Sequence, residues 1–193
     1  MSPTIIFLLQ LVLGYVAWLL CFGTYIMPRL KAMDRVAAHR AIATLNSFRF
    51  FGLIFILPGV VGPHLPASFA TYAAYGDFAT GILAMLALLT VRVRPLFWSF
   101  VVAFNTVGIA DILLDYYHAI QLNLPAKAGQ LGAGYVIPVI YVPLLMITNV
   151  VAVYFLLRPK PRSKITASWP GRAAQQGPQP RAGQTSASPT TWS

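Results

Sequence analysis

Three observations predict an all-α fold, an integral membrane bundle of five transmembrane helices with the N-terminus outside and the C-terminus inside. First, apolar stretches run over 4–27, 42–62, 73–91, 96–121 and 135–157. Each matches the ~20 residues that a helix rising ~1.5 Å per residue needs to cross ~30 Å of hydrocarbon. Second, 58% of the 193 residues are hydrophobic, only 9% are charged, and the mean hydropathy is +0.69. A soluble domain carries about 25% charged residues, and a chain of this length cannot build a core large enough to bury so much apolar surface. Third, basic residues gather in every second connection. Arg29, Lys31, Arg35 and Arg40 separate the first two stretches, Arg92 and Arg94 the third and fourth, and Arg158, Lys160, Arg162 and Lys164 follow the fifth. The segment before the first stretch and the connection 63–72 carry no Lys or Arg, and 122–134 carries Lys127 alone. Under the positive-inside rule all of these agree on one orientation.

Taken in order, the first stretch is expected to be a retained, N-out helix. It lacks a basic segment ahead of it, is long, and is followed by four basic residues, unlike a cleaved signal peptide. Cys21 within it is the only cysteine, which excludes an internal disulfide and a Cys-based metal cage. The span is expected to end at Pro28. Residues 29–41 then predict a short interfacial helix, with Leu30, Met33, Val36 and Ala37 toward the apolar side and Lys31, Arg35 and His39 near headgroups. The second span closes in the run from Pro58 to Pro66, whose Pro and Gly residues predict an outer loop that exposes His64. The link Arg92–Pro95 is so short that spans three and four must be antiparallel neighbours. Gly129, Gly132 and Gly134 predict a flexible outer loop, and Pro138 and Pro143 predict kinks in the fifth span. Residues 1–158 form the membrane domain. The composition of 159–193, rich in Pro, Gly, Gln, Ser and Thr, predicts a disordered inner tail.

The net charge of +10 sits mostly on the inner flanks and in the tail, where it meets anionic lipid rather than nucleic acid. The expected partners are the lipid bilayer and either further copies of the chain or a larger membrane complex.

The chain has four acidic residues. Asp34 lies in a basic connection, whereas Asp77, Asp111 and Asp115 fall within spans, where an acid costs a few kcal/mol and therefore faces the bundle interior. Counting ~1.5 Å per residue, Asp77 lies ~6 Å, His118 ~5 Å, Asp115 ~9 Å and Asp111 ~15 Å below the outer boundary. Gly108, Asp111, Asp115 and His118 share one helix face, and Asp77, Thr80, Gly81, Ala84 and Leu88 another. Asp77 is therefore expected to approach Asp115 or His118, with Tyr72, Tyr75, Tyr116, Tyr117 and Tyr135 at the same level. Arg49, Asn105 and Asn149, with Asn46 beside them, form a second polar layer. If the helices are regular, Arg49 lies too deep to reach Asp111. It then snorkels or donates to Asn105, Asn149 or backbone.

Three functions are open to the outer cluster of Asp77, Asp111, Asp115 and His118. It could be a hydrogen-bonded pin that fixes helix register. It could hold a proton, as coupled carriers require, or an oxygen-preferring divalent cation. No nucleophile elbow, P-loop, dinucleotide fingerprint or HExxH motif occurs, so no catalytic residue, metal ligand or cofactor is assigned. The favoured expectation is a small membrane subunit or binding protein. A proton- or cation-coupled carrier using Asp77, Asp111 and Asp115 is the alternative, and a membrane redox or lipid enzyme the third.

Four segments carry a resemblance over Phe51–Arg158. They are Leu57–Pro63, Tyr75-Gly76-Asp77, Phe104–Asp111, and Ile137-Pro138 with Val142-Pro143. In these the chain resembles an uncharacterised family of small multi-pass bacterial inner-membrane proteins, which implies that location and a shared helical bundle. Arg49-Phe50-Phe51-Gly52 is similar to DoxX-type four-helix membrane bundles, a resemblance confined to the fold.

Overall fold

The computed structural model describes residues 1–158, and they are helical throughout apart from short connections. The expected disordered tail 159–193 lies outside the described residues. Helix α1 spans Pro3–Ala32, α2 Arg35–Ser47, α3 Ala67–Leu89, α4 Arg94–Gln121 and α5 Ile137–Leu157. Two 3-10 segments, Phe48–Ile56 and Leu124–Tyr135, complete the chain. Four helices (α1, α3, α4 and α5) are long and apolar enough to cross a membrane, not the five expected.

The exception is the second stretch. It is α2 followed directly by 3-10 helix, and it opens at Leu57 into the Pro- and Gly-rich turn. A 3-10 helix has three residues per turn, so positions three apart stack on one face. Arg49, Gly52 and Phe55 are the buried residues of this segment, while Phe48 and Phe51 point outward. The residue-by-residue rise also increases, to ~2.0 Å. With 13 residues of α-helix and 9 of 3-10, the composite rod measures ~37 Å.

Proline explains two other departures from regular helix. Pro28 lacks an N–H and its ring crowds the carbonyl four residues back. A π turn over Phe22–Ile26 absorbs the misfit, so α1 runs past Pro28 to Ala32 rather than ending there. The expected interfacial helix over 29–41 is therefore divided between the end of α1 and the start of α2. His39, expected among headgroups, is fully buried: its ring nitrogens contact the carbonyls of Arg35 (2.6 Å) and Ala152 (3.3 Å). A second π turn, Ile137–Tyr141, falls where Pro138 and Pro143 predicted kinks. The glycine-rich connection is likewise a packed element, with Leu124, Ala128 and Leu131 buried and the Gln130 carbonyl accepting from Gly62 at 2.7 Å.

Consecutive rods alternate in direction. Ser47 to Phe50 face Gly81, and Gly52 faces Asp77, so the α2 rod is antiparallel to α3. Gly76 faces Asp111 and Thr80 faces Gly108, which sets α4 antiparallel to α3 as the short link predicted. His39 meets Ala152 and Leu45 meets Tyr141, so α5 opposes the α2 rod. Helix α1 docks beside α5 in the same direction, through Gln10 to Tyr135 and Trp18 to the Ile140 carbonyl at 2.8 Å. Gly14 permits this contact, because a Cβ there would overlap the Val139 carbonyl oxygen. Pro143, four residues on, has no N–H to offer that oxygen.

Two apolar clusters fill the bundle. One, at the end of the two loops, includes Phe55, Phe69, Leu131 and Leu145; the other, at the end of the α3–α4 hairpin, includes Phe97, Val101, Phe104 and Phe155. The outer faces are just as apolar: Val12, Leu13, Leu20, Val102, Leu113, Val150 and Leu157 are all exposed. Such a continuous apolar exterior around buried charge suits a hydrocarbon solvent.

Two predictions follow from these local geometries. Gly14→Val lowers the thermal unfolding midpoint in detergent, at a cost of ~1–3 kcal/mol, whereas Gly23→Ala, with nothing within 4 Å of its added Cβ, does not lower it and raises stability by up to ~1 kcal/mol. Asp34 caps α2, accepting from the N–H groups of Ala37 (3.0 Å) and Val36 (2.8 Å), which hold its carboxyl below the ordinary 3.8. The cap is complete above that ordinary value and is lost as pH falls through the lower folded-state one. Amide exchange at Val36 and Ala37 should therefore lose protection on acidification in wild type, and Asp34→Asn should remove that dependence.

Candidate functional site

At mid-height the 3-10 segment turns Arg49 inward between α3 and α4. Its Nε donates to Asp77 Oδ1 at 2.7 Å, its Nη2 to Asp111 Oδ2, and its Nη1 to the Gly108 carbonyl at 3.3 Å. All three side chains are buried, Arg49 completely. The expectation that Arg49 could not reach Asp111 is thus corrected, and with it the separation into two polar layers. The reasons are geometric. Helix α3 begins at Ala67 rather than 73, which puts Asp77 ten residues, or ~15 Å, from its start. Asp111 lies ten residues from the end of α4, at the same height. The 3-10 rise and phase bring Arg49 to that height and to the α3 face.

Glycine makes room for each charged group. A Cβ on Gly52 would overlap the Asp77 carboxylate, and one on Gly76 the Asp111 carboxylate. One on Gly108 would lie 2.6 Å from Arg49 Nη1 and 3.1 Å from Asn149 Nδ2. Sequence reasoning placed Gly108 on the Asp111 face but did not find Gly52 or Gly76 as partners. Their signal was the pairing of a small residue with a charge in Arg49-Phe50-Phe51-Gly52 and Tyr75-Gly76-Asp77. These are the segments that carried the resemblances.

The amides sit beside the ion pairs without joining them. Asn46 Nδ2 donates to the Ile42 carbonyl and Asn105 Nδ2 to that of Val101. Their Oδ1 atoms and both amide atoms of Asn149 are buried with no hydrogen-bond partner among the described residues. Such atoms are where internal water binds.

The remaining acid, Asp115, lies one turn beyond Asp111 on α4. Asp77 is committed to Arg49 and, among the described residues, makes no hydrogen bond to Asp115 or His118. Asp77 and Asp115, expected to approach one another, line one cavity of about 200 Å³, otherwise walled by apolar side chains and Tyr116. The Oδ1 atoms of Asp111 and Asp115 are buried and unpaired. His118 packs edge-on against Tyr72, with ring centroids 4.9 Å apart. Among the described residues no three His, Cys, Asp or Glu side chains converge as metal ligands, because Asp111 turns to Arg49, Asp115 to the cavity and His118 to Tyr72. Tyr116 is tied to α1 through Tyr15, hydroxyl to hydroxyl at 2.7 Å.

On charge alone, one guanidinium faces three carboxylates. Coulomb attraction at this burial is large, but so is the desolvation it opposes. Removing the cation therefore costs more than the pair's net worth. Arg49→Met should destabilise the protein by ~3–5 kcal/mol. The triple variant Arg49→Met/Asp77→Asn/Asp111→Asn should regain part of that loss, as read by chemical unfolding in micelles.

No curated protein and no solved structure matches the chain. A family model does, over residues 6–157, which include Arg49 and the three acids and nearly all of the described bundle. The chain therefore belongs to the family described as the domain of unknown function DUF8737.

Proposed function

We propose that this protein is a bacterial inner-membrane binding protein or small membrane subunit that crosses the bilayer five times and holds a ligand at Asp77, Asp111 and Asp115, between the middle of its bundle and the outer side. The observation that carries this reading is the excess of carboxylate over cation beside a cavity: two buried acids and the half-buried Asp115 face one guanidinium. A purely structural pin would pair its charges one to one, since each unpaired buried charge is costly. Here the unpaired oxygens of Asp111 and Asp115 remain available to a guest. Five crossings are supported by the alternating direction of the rods and by the ~37 Å length of the α2 rod, enough for the hydrocarbon layer. The basic connections favour N-terminus outside and C-terminus inside.

A coupled carrier is the second reading, favoured by one specific feature. Asp111 lines a groove of about 740 Å³ between α3 and α4, with Tyr72, Tyr75 and Gly76 among its walls. Asp115, one turn away, lines the separate cavity. Neighbouring acids that line two different spaces are what handing a proton from one space to the other requires.

Three measurements test these readings. Reporter fusions at the two ends should report opposite sides of the membrane; the same side would mean an even number of crossings. Native mass spectrometry of the protein in mild detergent should show a stoichiometric ligand that Asp111→Asn/Asp115→Asn loses. A ligand-free protein whose double variant is only less stable would make the cluster structural. For the carrier, the same double variant should abolish proton or cation flux in liposomes, and wild-type flux in the variant sinks that reading.

A further inference from the structure

We propose that the cavity walled by Asp77 and Asp115 takes a small lipophilic monocation, a protonated amine on a single-ring apolar body, with Asp115 as its counterion. The proposal rests on the binding-protein reading and names the ligand class of that site.

The cavity lies between α1, α3, α4 and α5 near the loop end. Phe7, Leu11, Phe69, Ala73, Ile137 and Val142 supply much of its wall, and a carboxylate is set into it. Its volume of about 200 Å³ compares with the ~150 Å³ that accommodates benzene in an engineered protein cavity. One ring and a short polar arm therefore fit, and a lipid headgroup with its chains does not.

The charge of the guest follows from what Asp115 lacks. The Arg49 guanidinium is engaged by Asp77, Asp111 and the Gly108 carbonyl. The only salt bridges among the described residues are the two that Arg49 makes. Asp115 Oδ1 is buried and receives no hydrogen bond. Asp77 and Asp111 together already outnumber Arg49, so the surroundings of Asp115 carry no spare positive charge. A neutral donor would satisfy one oxygen but could not compensate an ionised Asp115, so it would bind only the protonated acid. An ammonium group supplies both the hydrogen bond and the charge, in an environment where each is strengthened by exclusion of water. An apolar body is dictated by the rest of the wall.

The route in is also apolar. Leu8 on α1 and Ile120 on α4 belong to the cavity wall and are 46% and 74% exposed. The mouth thus opens sideways between two helices. An amphiphilic cation that concentrates at a membrane surface reaches such an opening without passing through bulk water.

The experiment is equilibrium binding of tritiated phenethylammonium to the full chain in lipid nanodiscs, with 2-phenylethanol as the neutral competitor of the same shape. Saturable binding at one per chain is expected, with the alcohol competing roughly tenfold or more worse than unlabelled phenethylammonium. Asp115→Asn should weaken binding by a similar factor, Asp115→Glu should retain it, and Ala73→Leu, which fills the cavity and keeps the acids, should abolish it. Equal competition by the alcohol overturns the proposal even if no variant folds. So does unchanged affinity in a folded Asp115→Asn protein. If neither compound binds saturably to a preparation that retains an acid-dependent native ligand, the cation class is wrong and the binding-protein reading stands. If neither binds and the preparation is ligand-free, both fail.

Discussion

Everything at the centre of this bundle is arranged around the cost of putting one guanidinium into an apolar interior. Arg49 is fully buried, and an ion in that position is tolerated only with close, well-aligned partners. Each partner comes from a different place in the chain. Asp77 comes from α3, Asp111 and the Gly108 carbonyl from α4, and Arg49 from a segment that abandons α-helix to present it. Three glycines then let the backbones close in until the pairs meet. Exchange any of those glycines for a residue with a Cβ and the ion pairs must separate. The polar centre therefore sets the spacing of three rods, and the apolar clusters above and below fill what that spacing leaves.

Much of this was legible before any coordinates. That neighbouring rods alternate in direction followed from apolar stretches of similar length joined by connections. The adjacency of α3 and α4 followed from a link too short for anything else. Of the stripe Asp77, Thr80, Gly81, Ala84 and Leu88, the first four are buried as their spacing required and Leu88 is half-buried. What could not be read was depth. Ser68, Thr71 and the tyrosines that open α3 lower its hydropathy, so the sequence placed the start of α3 six residues late and set Asp77 too near the end of its helix. The 3-10 segment was hidden for a different reason. Its residues are as apolar as those of an α-helix, and only the period-three recurrence of Arg49, Gly52 and Phe55 distinguishes it. A 100° wheel scatters those three positions; a 120° wheel stacks them.

The acids are unequal for the same physical reason. Asp77 and Asp111 are spoken for, each through one oxygen, by a cation that reaches no further. Asp115 sits one helical turn beyond that reach, in a wall of aromatic and aliphatic side chains. Three acids on two neighbouring helices look like a single cluster in sequence. Geometry divides them into two that hold the protein together and one with nothing to hold.

Helix α1 has a consequence for biosynthesis. Its tertiary hydrogen bonds go to Tyr116, Tyr135 and Ile140, more than a hundred residues downstream. Contacts so distant in sequence form late. Of the described rods, α1 is made before its partners and is thus the last to find its place. Until α5 is made, the face carrying Gly14 and Trp18 has no partner, and the elements between must assemble around Arg49 without the wall that α1 will add. Chains stalled before α5 would leave that face uncovered, which makes α5 the element that closes the described bundle.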